Sequence, residues 1–383
     1  MPASPRDLPV WTLAAACLRA GTPVALLAVL RSAGSSPGRQ GFKMTITADT
    51  VAGSIGGGIM EHKWVELARQ RLRDADATPL LRPQVHRREA PTDRSGMMCS
   101  GEQEVLLRPL LPTDLPAVAA IEASLLTLSG GFLELSPAAG LRFLPPVATG
   151  ASTEAAADAV TEASSAPAPL AFYDYQPGPA WRYREQLGFR DQLTIVGGGH
   201  VSLALSNVAA ALDFELTVLD DRTDLPTFEN NHAAHQRHRI DYENVAAAVP
   251  PNPHGYVVVM TVGYRTDAVV LRQLLAHPYR YLGVMGSVAK VAELRRGLRE
   301  EGFSEEEIAR LRGPIGLPIQ SQTPEEIAIS IAAELIRVRR SADFSSAKPP
   351  CCSRTKSPRY GYRSESLPPS GLVLLANSSV KMR

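Results

Sequence analysis

Cysteine is scarce in this chain. Its four cysteines in 383 residues are Cys17, Cys99, Cys351 and Cys352, the last two adjacent, which excludes a disulfide framework. Such usage fits a reducing compartment, so a cytoplasmic location is expected. Long apolar runs are missing too: nothing approaches the roughly 18 consecutive apolar residues of a membrane span. The short run Trp11 to Cys17 is led in only by Arg6 beside Asp7, and reads as an amphipathic opening helix rather than a signal peptide. Charge of one sign is lacking as well, with 40 Lys and Arg against 39 Asp and Glu. What basic excess there is falls at the end, where seven Lys or Arg between Ser341 and Arg383 face only Asp343 and Glu365. The body therefore offers no basic face to nucleic acid. Residues 341–383, rich in Pro, Ser and Arg, carry no pattern that assigns a fold and read as a disordered basic tail.

What the chain does have is an ordinary apolar content, 44%, and a length suited to two domains with appendages. The most informative stretch is Leu193 to Arg222. An apolar strand, Leu193 to Val196, runs into Gly197-Gly198-Gly199-His200-Val201-Ser202; an alanine-rich helix follows over Leu203 to Leu212, then a strand from Glu215 to Leu219 ending in Asp220-Asp221. This is the order of a Rossmann unit, in which one glycine makes the tight turn and another lets the backbone approach a pyrophosphate. The helix start offers free N–H groups to the anion. Asp220, 23 residues after Gly197, stands where a carboxylate takes ribose hydroxyls, while Ser202 replaces the third glycine. Buried parallel strands are expected at Tyr256 to Met260 and Tyr281 to Met285. Gly286-Ser287 opens a helix bearing Lys290. Capping boxes pair Ser304 with Glu307 and Thr323 with Glu326, and Ile327, Ile331 and Leu335 form the apolar face of a last helix.

The first part is different in kind. Strands are expected at Val24 to Leu30, Lys43 to Thr47, Leu80 to His86 and Glu104 to Leu107, helices at Ile59 to Arg73 and Leu115 to Leu128, and a hairpin around Phe132 and Phe143. The fold class is thus α/β: a C-terminal Rossmann-like parallel-sheet domain over 191–340, preceded by a smaller α+β domain over 1–145. Between them 146–190 reads as a linker, Ala, Thr, Ser and Pro at first, then an aromatic connector, Phe172 to Trp181.

Two loops of the first domain have the form of an anion cradle. Gly53 to Gly58, with Gly56, Gly57 and Gly58 before a helix, lets consecutive N–H groups converge. Ser35, Ser36 and Arg39 could add hydroxyl and guanidinium donors to the same anion; tight turns and close packing explain such glycines equally well. Cys99, before Ser100-Gly101, is either an inert small hydrophobe or a thiol for soft or sulfur-bearing groups. His232, His235 and His238 lack further ligands nearby and read as a solvated surface rather than a metal site.

Taken together, Gly34-Ser35-Ser36-Pro37, Gly53-Ser54-Ile55-Gly56-Gly57-Gly58 with Glu61, Cys99-Ser100-Gly101, Gly197-Gly198-Gly199-His200-Val201 and Asp220-Asp221-Arg222 resemble the xanthine dehydrogenase accessory factor family, XdhC/CoxI. So does the run from Gly302 to Ile327, and the likeness covers about residues 10 to 340. Two places depart from the family: Cys99-Ser100-Gly101 replaces Cys-Gly-Gly, and Thr261 to Asp267 replaces a Thr-His-Asp-like segment. The resemblance implies a chaperone rather than an enzyme, one that binds molybdenum cofactor (molybdopterin, as mono- or dinucleotide) and presents it for sulfuration by a cysteine desulfurase. It then inserts the cofactor into a xanthine dehydrogenase-like or CO dehydrogenase-like hydroxylase. It further implies that Ser35, Ser36, Arg39, Gly56 to Gly58, Glu61, Gly197, Gly199, His200 and Asp220 face the cofactor, with Cys99 near the dithiolene or the molybdenum. A homodimer would suit a dimeric client. The Rossmann unit leaves two other readings open: an NAD(P)-dependent oxidoreductase, or an interaction protein that senses a nucleotide without turnover.

Overall fold

The computed structural model describes residues 2–85, 101–146, 172–222 and 224–344. The first domain opens with α1 (Leu8–Ala20), β1 (Val24–Gly34), β2 (Lys43–Ile46), β3 (Val51–Gly53), α2 (Gly58–Arg73), β4 (Leu80–Val85), β5 (Gly101–Leu110), α3 (Leu115–Thr127), β6 (Phe132–Ser136) and β7 (Gly140–Leu144). An antiparallel sheet runs β3-β2-β1-β5-β4. Its central β1 is apolar without alternation because both faces are covered: Val24, Leu26, Ala28 and Leu30 meet the core of α1 and α3, while Ala25, Leu27 and Val29 meet Trp64, Val65 and Ala68 of α2. Each fully buried Leu or Val here is worth about 2 kcal/mol in apolar burial. The strand also outlasts its apolar run, continuing to Gly34 opposite Gly101.

The aromatic connector expected within 146–190 is not a connector in its described part. β8 (Tyr173–Gln176) and β9 (Arg182–Gln186) join β6 and β7 in a second antiparallel sheet, β7-β6-β9-β8. Tyr183 and Glu185 alternate inward on β9. Charged Arg182, Arg184 and Glu185 mask that period of two in the sequence.

The second domain follows as β10 (Asp191–Val196), α4 (His200–Ala210), β11 (Phe214–Asp220), α5 (Pro226–Glu229), β12 (Gln236–Arg239), α6 (Val245–Ala248), β13 (Asn252–Val259), α7 (Tyr264–Leu274), β14 (Tyr279–Val284), α8 (Val288–Glu300), α9 (Glu305–Arg310), β15 (Leu311–Arg312) and α10 (Pro324–Phe344). Its strands pair in parallel in the order β12-β11-β10-β13-β14-β15. Two halves therefore wind outward from β10 and β13, and the connections reverse direction between those two strands, where open α/β sheets take their ligands. One face, with Leu193, Ile195, Leu216, Val218 and Val258, packs on α4 and α10; the other, with Val196, Leu219, Val257, Val259 and Val284, packs on α7 and α8. Helices on both faces explain why these strands read as unbroken apolar runs.

The three histidines separate. His232 and His238 are exposed, whereas half-buried His235 accepts from Leu216 N at 2.9 Å through Nδ1 and reaches Ala3 O at 2.8 Å through Nε2. With Nδ1 accepting from Leu216 N, Nε2 is the nitrogen that can donate to Ala3 O, and the ring ties the amino-terminal segment to β11. Among the described residues no group of His, Cys, Asp and Glu is arranged to hold a metal ion, and no helix is long and apolar enough to cross a membrane.

Candidate functional site

In the first domain the fold brings the glycine-bearing loops together. A Cβ on Gly38 would lie 2.0 Å from Ile55 O, one on Gly56 2.3 Å from Gly38 N, and one on Gly101 2.2 Å from Ser36 N. These glycines exist so that three stretches of backbone can touch. Ser35 and Arg39 are exposed, Arg39 bonding Gly34 O at 2.8 Å, while buried Ser36 donates to Gly38 O and Gln103 Oε1 accepts from Gly38 N at 3.2 Å. The cradle itself is filled from within. One oxygen of Glu61, in the first turn of α2, accepts from Ser54 Oγ at 2.6 Å, Ile55 N at 2.9 Å and Gly57 N at 2.9 Å. The converging donors expected for a bound anion thus hold the chain's own carboxylate. Gly58 stays exposed at the start of α2, which has no side-chain cap. Cys99 lies outside the described residues, two positions before Gly101. Cys17 is buried in α1, and burial pushes its thiol up, away from reactivity.

The Rossmann turn divides its glycines by role. Gly197, at φ 114° and donating to Leu219 O at 2.7 Å, crosses the end of β13 so closely that a Cβ would sit 2.3 Å from Met260 O. Gly198 meets Phe228 of α5, where a Cβ would lie 2.8 Å from the ring. Gly199, the residue before α4, faces open space, with nothing within 4 Å of its would-be Cβ. Exposed His200 begins α4, which has no side-chain cap, so its first-turn N–H groups point outward. Ser202, in the place of the third glycine, is buried and small enough for the helix to approach the sheet.

Asp220 is at the expected place but faces inward. It is fully buried, accepting from Gly198 N at 2.6 Å and from Arg222 N, Nε and Nη2 at 2.9, 2.8 and 2.7 Å. Burial works against its charge, yet the Arg222 and Gly198 bonds outweigh it and hold the carboxyl below the usual range. Asp220 therefore braces the turn, and the oxygens expected to meet a ribose are taken up by Arg222 and Gly198.

Beside Gly197, beyond the end of β13, sits a group that sequence reading left without a role. Thr261 donates through Oγ1 to Asp267 Oδ1 at 2.5 Å and through its N–H at 3.1 Å; Lys290 pairs with the same carboxylate and donates to Met285 O at 3.1 Å. Asp267 is wholly buried, while Lys290 keeps 23% of its side chain accessible. Its register was legible, since Thr261 follows one strand and Lys290 follows the Ser287 cap after the next. What joined them was the side-by-side pairing of β13 and β14.

Together these features define the class: a doubly wound parallel sheet of Rossmann type, with an uncapped helix start at its first turn, preceded in the chain by antiparallel sheets and helices. The chain belongs to the XdhC/CoxI family. The model of the XdhC and CoxI family matches residues 17–82 and that of the XdhC Rossmann domain residues 193–335. Among curated proteins it is similar to the uncharacterized protein YqeB of Escherichia coli (strain K12), 35% identical over 40% of this chain and 28% of that protein. It is also similar to a probable xanthine dehydrogenase subunit of Bacillus subtilis (strain 168), 28% identical over 39% of this chain and 44% of that protein. The chain thus spans less than half the length of these curated relatives. The crystal structure of a xanthine dehydrogenase from Bacillus halodurans has the same fold, with a TM-score of 0.62 at 22% identity, covering 88% of this chain and 98% of that one.

Proposed function

We propose that this protein is an accessory factor of a xanthine dehydrogenase-like molybdenum hydroxylase, carrying molybdenum cofactor as cargo, presenting it for sulfuration by a cysteine desulfurase and delivering it to the client. The observation that carries the reading is the open turn at Gly199 and the uncapped start of α4, set at the strand-order reversal in a chain of the XdhC/CoxI family. A pterin phosphate fits donors of that kind. Lys290 adds a cation at the same strand ends. The first-domain loop suits the phosphate less well, because Glu61 already occupies its N–H groups. Cys99, a soft ligand two positions before Gly101 and apart from that loop, would instead serve the dithiolene or the molybdenum. The Asp220 carboxylate, engaged by Arg222, argues against a ribose contact of the NAD type.

The test is to purify the protein from a cofactor-producing host and measure released pterin by fluorescence. Wild type is expected to retain pterin, and Gly199→Val to lose about tenfold or more of it with unchanged melting, since the new side chain enters open space. Cys99→Ala should lower loading where Cys17→Ala does not. Absence of pterin from the wild type, together with hydride transfer from NADH, would replace this reading by an oxidoreductase.

A further inference from the structure

At the far edge of the parallel sheet, away from the Gly197 turn, β15 is only two residues long and pairs with just Leu282 and Gly283 of β14. Among the described residues that edge of β14 has no strand partner before Leu282, and a cleft of about 680 Å³ opens there. Five arginines from separate elements reach it: Arg280 on β14, Arg295 on α8, Arg310 at the end of α9, Arg312 on β15 and Arg337 on α10. Glu334 is the one carboxylate among its described lining residues. Glu334 is itself committed, its Oε2 accepting from Tyr281 Oη at 2.9 Å and Gly316 N at 2.7 Å while Oε1 lies 3.4 Å from Arg337 and 3.9 Å from Arg312. Arg280 stands 3.7 Å from Asp191 of β10.

The guanidinium groups of Arg295 and Arg310 are oriented but not used up. Arg310 gives one N–H to Leu275 O at 2.7 Å, and Arg295 gives Nη2 to Leu311 O at 2.9 Å, while its buried Nε has no acceptor among the described residues. Each fork carries five N–H donors, so in these two most remain for a ligand. Five like charges drawn together from five elements repel one another, and a structure that holds them so is built to receive an anion. At one wall His277 and Tyr279 lie with ring centroids 6.0 Å apart and planes tilted by 57°, an aromatic lining beside the charges.

We propose that this cleft is a second ligand site, for a small molecule bearing two or more phosphate groups, of the nucleotide or pyrophosphate class. The volume falls within the range of small-molecule sites, and arginine forks match phosphate oxygens two at a time. A concave pocket with an aromatic wall suits such a ligand better than an extended acidic peptide. The site is independent of the accessory reading, since it shares no residue with the turn at Gly199.

Calorimetry on the full chain decides it, with inorganic pyrophosphate and ATP as probes in a Gly199→Val background that removes the turn as a phosphate site. Both are expected to bind, more weakly as salt rises. Adding Arg312→Ala and Arg337→Ala, two side chains 45% and 58% accessible, should weaken both by about tenfold or more without lowering the melting temperature. Binding unchanged by the two arginine substitutions overturns the proposal, as does no pyrophosphate or ATP binding in the Gly199→Val protein. A ten-residue glutamate peptide binding where pyrophosphate fails would make the cleft a protein-docking surface instead. Made in the wild-type chain, the arginine substitutions should leave pterin retention untouched, which separates failure here from failure of the accessory role.

Discussion

Glu61 shows how a single side chain changes the reading of a loop. Three donors converge on its Oε2, the arrangement an anion-binding loop would give a ligand. Removing that oxygen leaves two backbone N–H groups and a hydroxyl without their acceptor, a cost of about 1–3 kcal/mol. Glu61→Ala should therefore lower the unfolding free energy read from urea titration by that much, with a lower midpoint. Glu61→Gln, which keeps one carbonyl oxygen at the same reach, should recover most of the loss. If the alanine variant instead unfolds at the wild-type midpoint, the loop is held by its glycine contacts alone. Gly53 to Gly58 before a helix was legible as a cradle; which anion sits in it was not, because Glu61 comes back one helical turn later to fill it.

At the scale of elements, end signals were the most legible part of the chain. The reciprocal cap of Ser304 and Glu307 is formed, with Ser304 N donating to Glu307 Oε2 at 2.9 Å and Glu307 N to Ser304 Oγ at 3.3 Å. At α10 Glu326 Oε2 accepts from Gln322 N at 2.7 Å and Thr323 N at 3.1 Å, and Thr323 Oγ1 accepts from Glu326 N at 3.3 Å. Such caps are local, within four residues, so spacing alone reveals them. α10 covers one face of the parallel sheet through Ala328, Ile331 and Leu335, and its start sets how it lies there. Thr323→Ala should lower stability by about 1 kcal/mol, read as a drop in thermal midpoint. Thr323→Ser, which keeps the acceptor, should restore it. β8 and β9 are the opposite case: the pairing of β9 with β6 depends on a partner about 50 residues away, and their charged residues hide the alternation.

The first domain is held together by a charge network that only the whole molecule assembles. Lys43 on β2 is fully buried, with Asp7 ahead of α1 in contact and Glu185 of β9 at 2.7 Å; Tyr183 Oη donates to Glu185 at 2.8 Å. Burial opposes the Lys43 charge, but Asp7 and Glu185 overcome it and raise its pKa, so the ammonium persists well into alkali. Glu185 is pushed up to about 7, chiefly by burial, against the pull of Lys43 and with the repulsion of Asp7. Its folded pKa lies above the ordinary 4.5, so between those values the folded state binds the extra proton. That contribution is complete below 4.5 and lost as the pH rises through about 7. Melting temperature should fall from about pH 5 to about pH 8 in wild type, and the slope should flatten in Glu185→Gln; an equal slope in both would mean that Glu185 is ionised throughout. Lys43→Met leaves buried Glu185 and half-buried Asp7 without their cation and should cost about 3–5 kcal/mol in urea unfolding.

The sequence by itself determined the α/β class with its C-terminal parallel sheet, the Rossmann unit from β10 to β11, the capping boxes and the apolar faces of β1 and α10. Each of these is written in residues close together along the chain, in periods, glycine spacings and cap pairs. Only the tertiary structure decided that Glu61 fills the first-domain loop, that Asp220 turns to Arg222 and Gly198, and that Thr261, Asp267 and Lys290 meet beside Gly197. The arginines of the sheet edge also converge only there. Those outcomes depend on which strands lie side by side and how closely backbones cross, and a one-dimensional pattern carries the spacing of residues but not the partner each one finds across the fold.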